Sequence, residues 1–178
     1  MHGDDEIGLQ VVLRWAEQQA GSHIHPEIQT AILESPGLNL LGTIAGQDAA
    51  ILVAAIRSGA PAGTVQIYQD EELEMLQGTA GTSWAGGAAE TLSLGRRLIP
   101  EDLPKRLVLI GIEGAAFGLG EGLSPAVDAA FPQALVEIDR SLAHFSSKGI
   151  AIKHIARRWG KKIKQIIKGT DQSPIIEN

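Results

Sequence analysis

Apolar residues recur at three- and four-residue spacing from Ile7 to Ala20, through Val11, Val12, Trp15 and Ala16, the period of a helix with one buried face. Asp4, Asp5 and Glu6 stand just before this helix or in its first turn, where carboxylates favour the positive end of the dipole. After Gly21-Ser22 and His23-Ile24-His25, Pro26 suits the first turn of a second helix running to about Glu34, with a Gly/Asn-containing loop behind it. Ala49 to Ile56 and Arg106 to Ile112 are largely apolar runs bounded by loop residues, as in strands covered on both faces. Thr64 to Tyr68 alternates enough for a less buried strand. The segments Ala85 to Ile99 and Pro125 to Phe145 read as helices, the first with Glu90, Arg96 and Arg97 at its solvated positions.

Strands alternating with helices predict an α/β fold of three α/β/α layers. Such a domain normally opens on a strand that feeds the first helix, whereas Met1 falls almost directly on the helix start. The expectation is therefore that a first strand is missing. Coding sequence upstream of Met1 would supply an apolar strand ending in a Gly/Asn-rich turn; failing that, a partner strand completes the sheet, because an open slot leaves backbone donors unpaired.

Bulk properties narrow the picture. A chain of 178 residues with 44% hydrophobic content is long enough for one sizeable core. No apolar run approaches the roughly 20 residues of a membrane span, and the acidic opening lacks the features of a signal peptide, so the expected location is cytoplasmic. With no cysteine, disulfides, thiolate nucleophiles and CxxC zinc sites are excluded, and a metal site must use His, Asp or Glu.

The net charge of −6 hides a division. Residues 1–147 carry 7 Lys/Arg against 19 Asp/Glu, and residues 148–178 carry 8 against 2. The chain thus reads as a 1–147 domain with a 148–178 tail. In the tail, Ile152, Ile155, Ala156, Trp159, Ile163, Ile166 and Ile167 form an apolar stripe beside Lys153, Arg157, Arg158, Lys161, Lys162, Lys164 and Lys168. That is a basic amphipathic helix interrupted by Gly160. Packing on the acidic body or on a partner protein is favoured over peripheral membrane contact, and nucleic acid is not expected.

Several motifs are weak as chemistry. His23 and His25 share one face of an extended segment but have no carboxylate cluster assigned to them. The hydroxyls of Ser58 and Ser124 have no His/Asp partner placed to activate them. Gly118-Leu119-Gly120-Glu121-Gly122 lacks a Walker lysine, and Glu121 would repel phosphate. Glu71, Glu72 and Glu74 read as a solvated acidic loop.

Three ordered blocks carry more. They are Gly3-Asp4-Asp5-Glu6-Ile7-Gly8, the run from Ile51 through Arg57-Ser58-Gly59 to Thr64, and the stretch from Arg106 through Gly111-Ile112-Glu113-Gly114 and Phe117-Gly118 to Gly122-Leu123-Ser124-Pro125. Together with the helix between them, they make residues 3–145 resemble the hydrogenase-maturation endopeptidases. The resemblance implies a phosphorylase/hydrolase-like α/β fold with a twisted mixed sheet. It also implies an activity: recognising nickel already inserted in the large-subunit precursor of a nickel-iron hydrogenase, then removing a short carboxyl-terminal extension.

The family's metal-contacting trio is an acid at the end of the first turn, an aspartate at the carboxyl end of the central strand and a histidine before the later helix. Asp5, three residues before Gly8, matches the acid; the aspartate falls on Ala54 and the histidine on Trp84. Alanine has no donor atom and the indole N–H only donates hydrogen bonds. Asp48 is a poor substitute, about six residues or roughly 20 Å from Ala54 at strand rise, and His2 sits at a terminus prone to fraying.

Asp5 is therefore the remaining candidate for catalysis and metal contact, with no intrinsic cofactor and nickel belonging to the substrate. Catalysis is expected to be impaired or lost. The alternative is a non-catalytic binding or scaffold protein, a pseudoprotease that recognises a precursor or partner. Helix capping and dipole complementation stand as a second reading of Asp4 and Asp5.

Overall fold

The computed structural model describes residues 3–19, 28–33, 37–70, 72–73, 84–118 and 122–147. The His23/His25 pair, Glu71, Glu74, Leu119 to Glu121 and the basic tail lie outside the described residues. A 3-10 turn over Gly3–Glu6 leads into helix α1 (Ile7–Gln19), whose buried residues Ile7, Val11 and Trp15 follow the helical period of the sequence. Helix α2 (Leu38–Ile44) precedes strand β1 (Ala49–Ile56) and strand β2 (Val65–Gln69). Helix α3 (Trp84–Leu98), strand β3 (Arg106–Glu113), and helices α4 (Pro125–Ala129) and α5 (Phe131–Ser147) complete the described order.

The sheet is mixed, in the order β1-β3-β2, with β1 parallel to β3 and β2 antiparallel to it. Residue alternation distributes its two faces between two helix layers. Leu52, Ala54 and Ile56 of β1 and Leu107 and Leu109 of β3 pack with Leu40, Leu41 and Ile44 of α2 and Ala88, Ala89 and Leu92 of α3. Ala55 of β1 and Val108, Ile110 and Ile112 of β3 pack with Ile7, Val11 and Trp15 of α1 and with α4 and α5 through Val127, Ala134, Ile138 and Leu142. This is the expected three-layer α/β/α arrangement. Trp15 Nε1 donates to Asp139 Oδ1 at 2.8 Å, tying α1 to α5. Among the described residues no strand pairs with the other edge of β1.

Three expectations from the sequence need correction. Residues 28–33 are not helical: Ile28 packs on the α1/α5 cluster, Leu33 on the α2/α3 cluster, and Ala31 and Ile32 are exposed. A helix would place 28, 31 and 32 on one face; long-range packing overrides the local cue of Pro26. The Gly/Asn-containing loop instead holds α2, whose Leu40, Leu41 and Ile44 all turn inward. The segment from Pro125 divides at Ala130 into α4 and α5. Pro132 has no N–H to donate back to Asp128, and its ring clashes with that carbonyl in a continuous helix.

At the amino end of β3, Asp70 adopts φ 42°, a left-handed conformation that Asp tolerates. Its carboxylate accepts from Leu107 N at 2.9 Å, and its carbonyl accepts from Arg96 at 2.9 Å. Arg96 is thus engaged rather than simply solvated, while Glu90 and Arg97 are exposed as expected. No described helix is long and apolar enough to cross a membrane.

Candidate functional site

Ligands of open α/β sheets bind beyond the carboxyl ends of the strands, and here β1 and β3 end side by side, with Ile56 in register with Glu113. The chain brings the start of α1 to this end by close approach. A Cβ on Gly8 would run into the carbonyl oxygen of Val53 and lie 3.1 Å from the Cα of Ala54. Only glycine lets the helix start lie so close to the strand. The preceding 3-10 turn also lies against β1.

Two adjacent aspartates in that turn have opposite fates. Asp4 is fully buried, whereas Asp5 is exposed. The Asp4 carboxylate accepts from Ala115 N at 2.7 Å, Ala116 N at 2.8 Å, Ser124 N at 2.6 Å and the Ser124 hydroxyl at 2.9 Å. Its own N–H donates to Ala116 O at 2.6 Å. Asp4 therefore does not cap its own helix; it clamps the turn to the loop after β3 and to the residue before α4. Burial alone raises its pKa, but the N–H groups of Ala116, Ser124 and Ala115 and the Ser124 hydroxyl together outweigh that and hold the carboxyl below its ordinary range.

A second buried carboxylate closes the loop after β1. Glu113 is 3% exposed and accepts from Ser58 N at 2.8 and 3.0 Å, from Gly59 N at 3.0 Å and from the Ser58 hydroxyl at 2.7 Å. Gln66 Nε2 donates to that hydroxyl oxygen at 2.7 Å, and the Tyr68 hydroxyl donates to Gln66 Oε1 at 2.8 Å. Burial, then the Glu113 and Glu72 carboxylates, raise the Tyr68 pKa. The result is a continuous chain from β2 through the loop to the end of β3. Beside it the Arg57 guanidinium lies 3.9 Å from the Phe117 ring centroid.

The positions singled out in the sequence converge only in part. Ala54 is 4% exposed and faces the α3 layer, and Trp84 is the first residue of α3. Asp5 belongs to the turn packed on β1. Asp48 precedes β1 at its opposite end. Among the described residues no group of three His, Asp or Glu side chains could hold a metal ion.

Sequence reasoning missed Asp4 as a clamp and gave Glu113 no role. A single carboxylate ending a buried strand was the available signal, since such a group must find donors. An open groove of about 460 Å³ lies elsewhere, lined by Gln10, Leu13, Arg14, Glu17, Asp128 and Phe131. It contains none of the residues gathered by the two carboxylates.

Fold and site together define an open α/β domain that carries an acidic turn and two carboxylate-locked loops at the carboxyl ends of its parallel strands. The family model described as hydrogenase maturation protease matches residues 9–141, and the chain belongs to that family. It is 32% identical over 139 residues to the hydrogenase 2 maturation protease of Escherichia coli K12, covering 76% of this chain and 80% of that protein. The hydrogenase maturating endopeptidase HybD from E. coli superposes with a TM-score of 0.63 at 26% identity, over 83% of this chain and 87% of that one. An E. coli endopeptidase solved in solution gives 0.68 at 28% identity, over 84% and 88%.

Proposed function

We propose that this protein recognises the carboxyl-terminal region of a nickel-iron hydrogenase large-subunit precursor, and that the peptidase chemistry of its family is impaired or lost. Family membership supports the kind of partner. The observation that carries the second half is Ala54: a buried methyl group, facing α3, stands where the family resemblance expects a carboxylate. With an indole residue at position 84 and an exposed Asp5, one oxygen ligand remains. A lone carboxylate holds a divalent ion weakly, because affinity depends on several donors converging in fixed geometry. Nickel carried by the precursor is substrate here, and Asp5 is the residue proposed to contact it.

The clamped loops favour retained recognition. Asp4 and Glu113 still hold the segments around the strand ends in place, as a protein-binding surface requires. This supports the second reading of the chain as a pseudoprotease that binds a precursor without cutting it.

The experiment is to incubate the protein with nickel-loaded precursor and follow the precursor's carboxyl terminus by mass spectrometry. Stable binding with no truncation is expected, and the Ala54→Asp/Trp84→His double variant should gain cleavage. Rapid truncation by the wild type that vanishes in Asp5→Ala would defeat the impaired-catalysis reading. Failure to bind any precursor would defeat the recognition reading.

A further inference from the structure

Arg57 is exposed, and among the described residues its side chain forms no ion pair or hydrogen bond; its contact is the face of Phe117. The ring itself is also packed along its edge. A Cβ on Gly114 would overlap the ring edge, so the glycine is what lets Phe117 pack so close to the backbone. Phe117 also packs on the α1/α5 core cluster. The aromatic ring is thus a fixed platform, and the residues that follow Arg57 are fixed too, because Glu113 takes up the N–H groups of Ser58 and Gly59.

Stacking uses the face of a guanidinium and leaves its edge available. The five N–H donors lie in the plane of the group and form a fork that matches a carboxylate with two parallel hydrogen bonds. A guanidinium already resting over a ring loses less freedom on binding than one with no contact. Glu113, the nearby acid on the adjoining strand, is spent on the loop after β1 and so leaves Arg57 its charge.

We propose that Arg57, seated on Phe117, is a carboxylate-binding site that recognises a protein ligand at the carboxyl ends of β1 and β3. It lies three residues beyond Ala54, at the same end of the sheet. The carboxylate is either the chain terminus or an acidic side chain of the ligand. This inference rests on the precursor-recognition reading only for what delivers the carboxylate.

The test uses the full chain with labelled arginine side chains, titrated by nuclear magnetic resonance with three probes. Acetyl-triglycine presents a terminal carboxylate, N-acetyl-glutamate α-amide with its side-chain carboxylate free presents the other source, and acetyl-triglycine amide presents neither. Saturable shifts of the Arg57 Nε–H and the Phe117 ring are expected with the first two probes and not with the amide, and the stronger of the two identifies the source. A response at Arg57 no larger than at exposed Arg14 and Arg97 overturns the proposal.

Arg57→Lys, which keeps charge but loses the fork, should weaken binding about tenfold, with Arg57→Gln weaker still. Equal binding by Arg57→Lys overturns the fork. With precursor as ligand, wild type that binds tightly while Arg57→Gln binds equally well also overturns the proposal. A wild type that binds no precursor strikes the recognition reading instead, and the acetyl-triglycine titration then decides this one.

Discussion

Asp4 and Glu113 are both buried carboxylates at the carboxyl ends of the strands, yet their loops depend on them to different degrees. Asp4 gathers residues 111 to 120 positions away in the chain, and its own N–H adds a backbone bond to Ala116. Glu113 holds a single loop that backbone pairing also secures. Gly63 N donates to Glu113 O at 2.8 Å, Glu113 N donates to Thr64 O at 2.9 Å, and Gly114 N donates to Ile56 O at 3.1 Å. A clamp that brings distant segments together has little redundancy; one that trims a neighbouring loop has much.

The largest effect is therefore expected at Asp4. Asp4→Asn keeps the volume but turns an amide NH₂ toward a cluster of N–H donors, leaving buried groups unpaired. A loss of about 3–5 kcal/mol is expected, measured as a fall in the urea midpoint with an unchanged slope. A loss below about 1 kcal/mol would mean that the clamp holds nothing the rest of the fold does not.

Acid should loosen the Asp4 clamp. Asp4 has its pKa lowered on folding from 3.8, so the unfolded chain takes up this proton more readily. Its contribution is complete above the unfolded value and is lost as pH falls through the lower folded value. Stability measured from pH 6 downwards should drop below about pH 4 in the wild type. The drop should be shallower in a folded Asp4→Asn variant. Parallel curves would show that other carboxylates govern acid unfolding.

Glu113→Gln comes next, at about 1–2 kcal/mol. The amide oxygen can still accept from Ser58 or Gly59, and the amide NH₂ can donate to the Ser58 hydroxyl if that hydroxyl reorients. A loss as large as that of Asp4→Asn would erase the contrast between the two clamps.

What could be read in the sequence follows the same division between local and distant causes. β1 and β3 were legible because both faces are buried, which forces an almost unbroken apolar run. The helical stripe Ile7, Val11, Trp15 was legible because its period is intrinsic to the segment. Helix α2 was hidden by Gly37, Asn39 and Gly42, which read as loop although three residues turn inward. The stretch 28–33 was misread because Pro26 is a local cue, and the packing of Ile28 and Leu33 on two different layers is not.

At the site, Asp4 and Asp5 are chemically identical neighbours. Local rules offer both the same capping role, and only the arrival of Ala115, Ala116 and Ser124 distinguishes them. Glu113 could be recognised as an odd carboxylate ending a buried strand, but its partner Ser58 stands 55 residues away. The blocks that carried the family resemblance were nonetheless the ones that meet in space.

The smallest effects compare the hydroxyl in each clamp. Ser124 is half-buried and contributes its hydroxyl and its N–H to Asp4. Ser124→Ala keeps the N–H bond and removes one hydroxyl donor from a fully buried carboxylate that water does not reach, an expected cost of about 1–1.5 kcal/mol. Ser58 is exposed, and its hydroxyl both donates to Glu113 and accepts from Gln66. Ser58→Ala loses these two bonds and a long third one, in which Ala60 N donates to the hydroxyl at 3.4 Å, yet water can reach this loop and replace them, so the expected cost is about 0.5 kcal/mol or less. Paired thermal melts of the two variants test this order. A larger loss in Ser58→Ala would mean that the chain from Tyr68 through Gln66 to Glu113 acts as one unit, and that the second clamp is as poorly backed as the first.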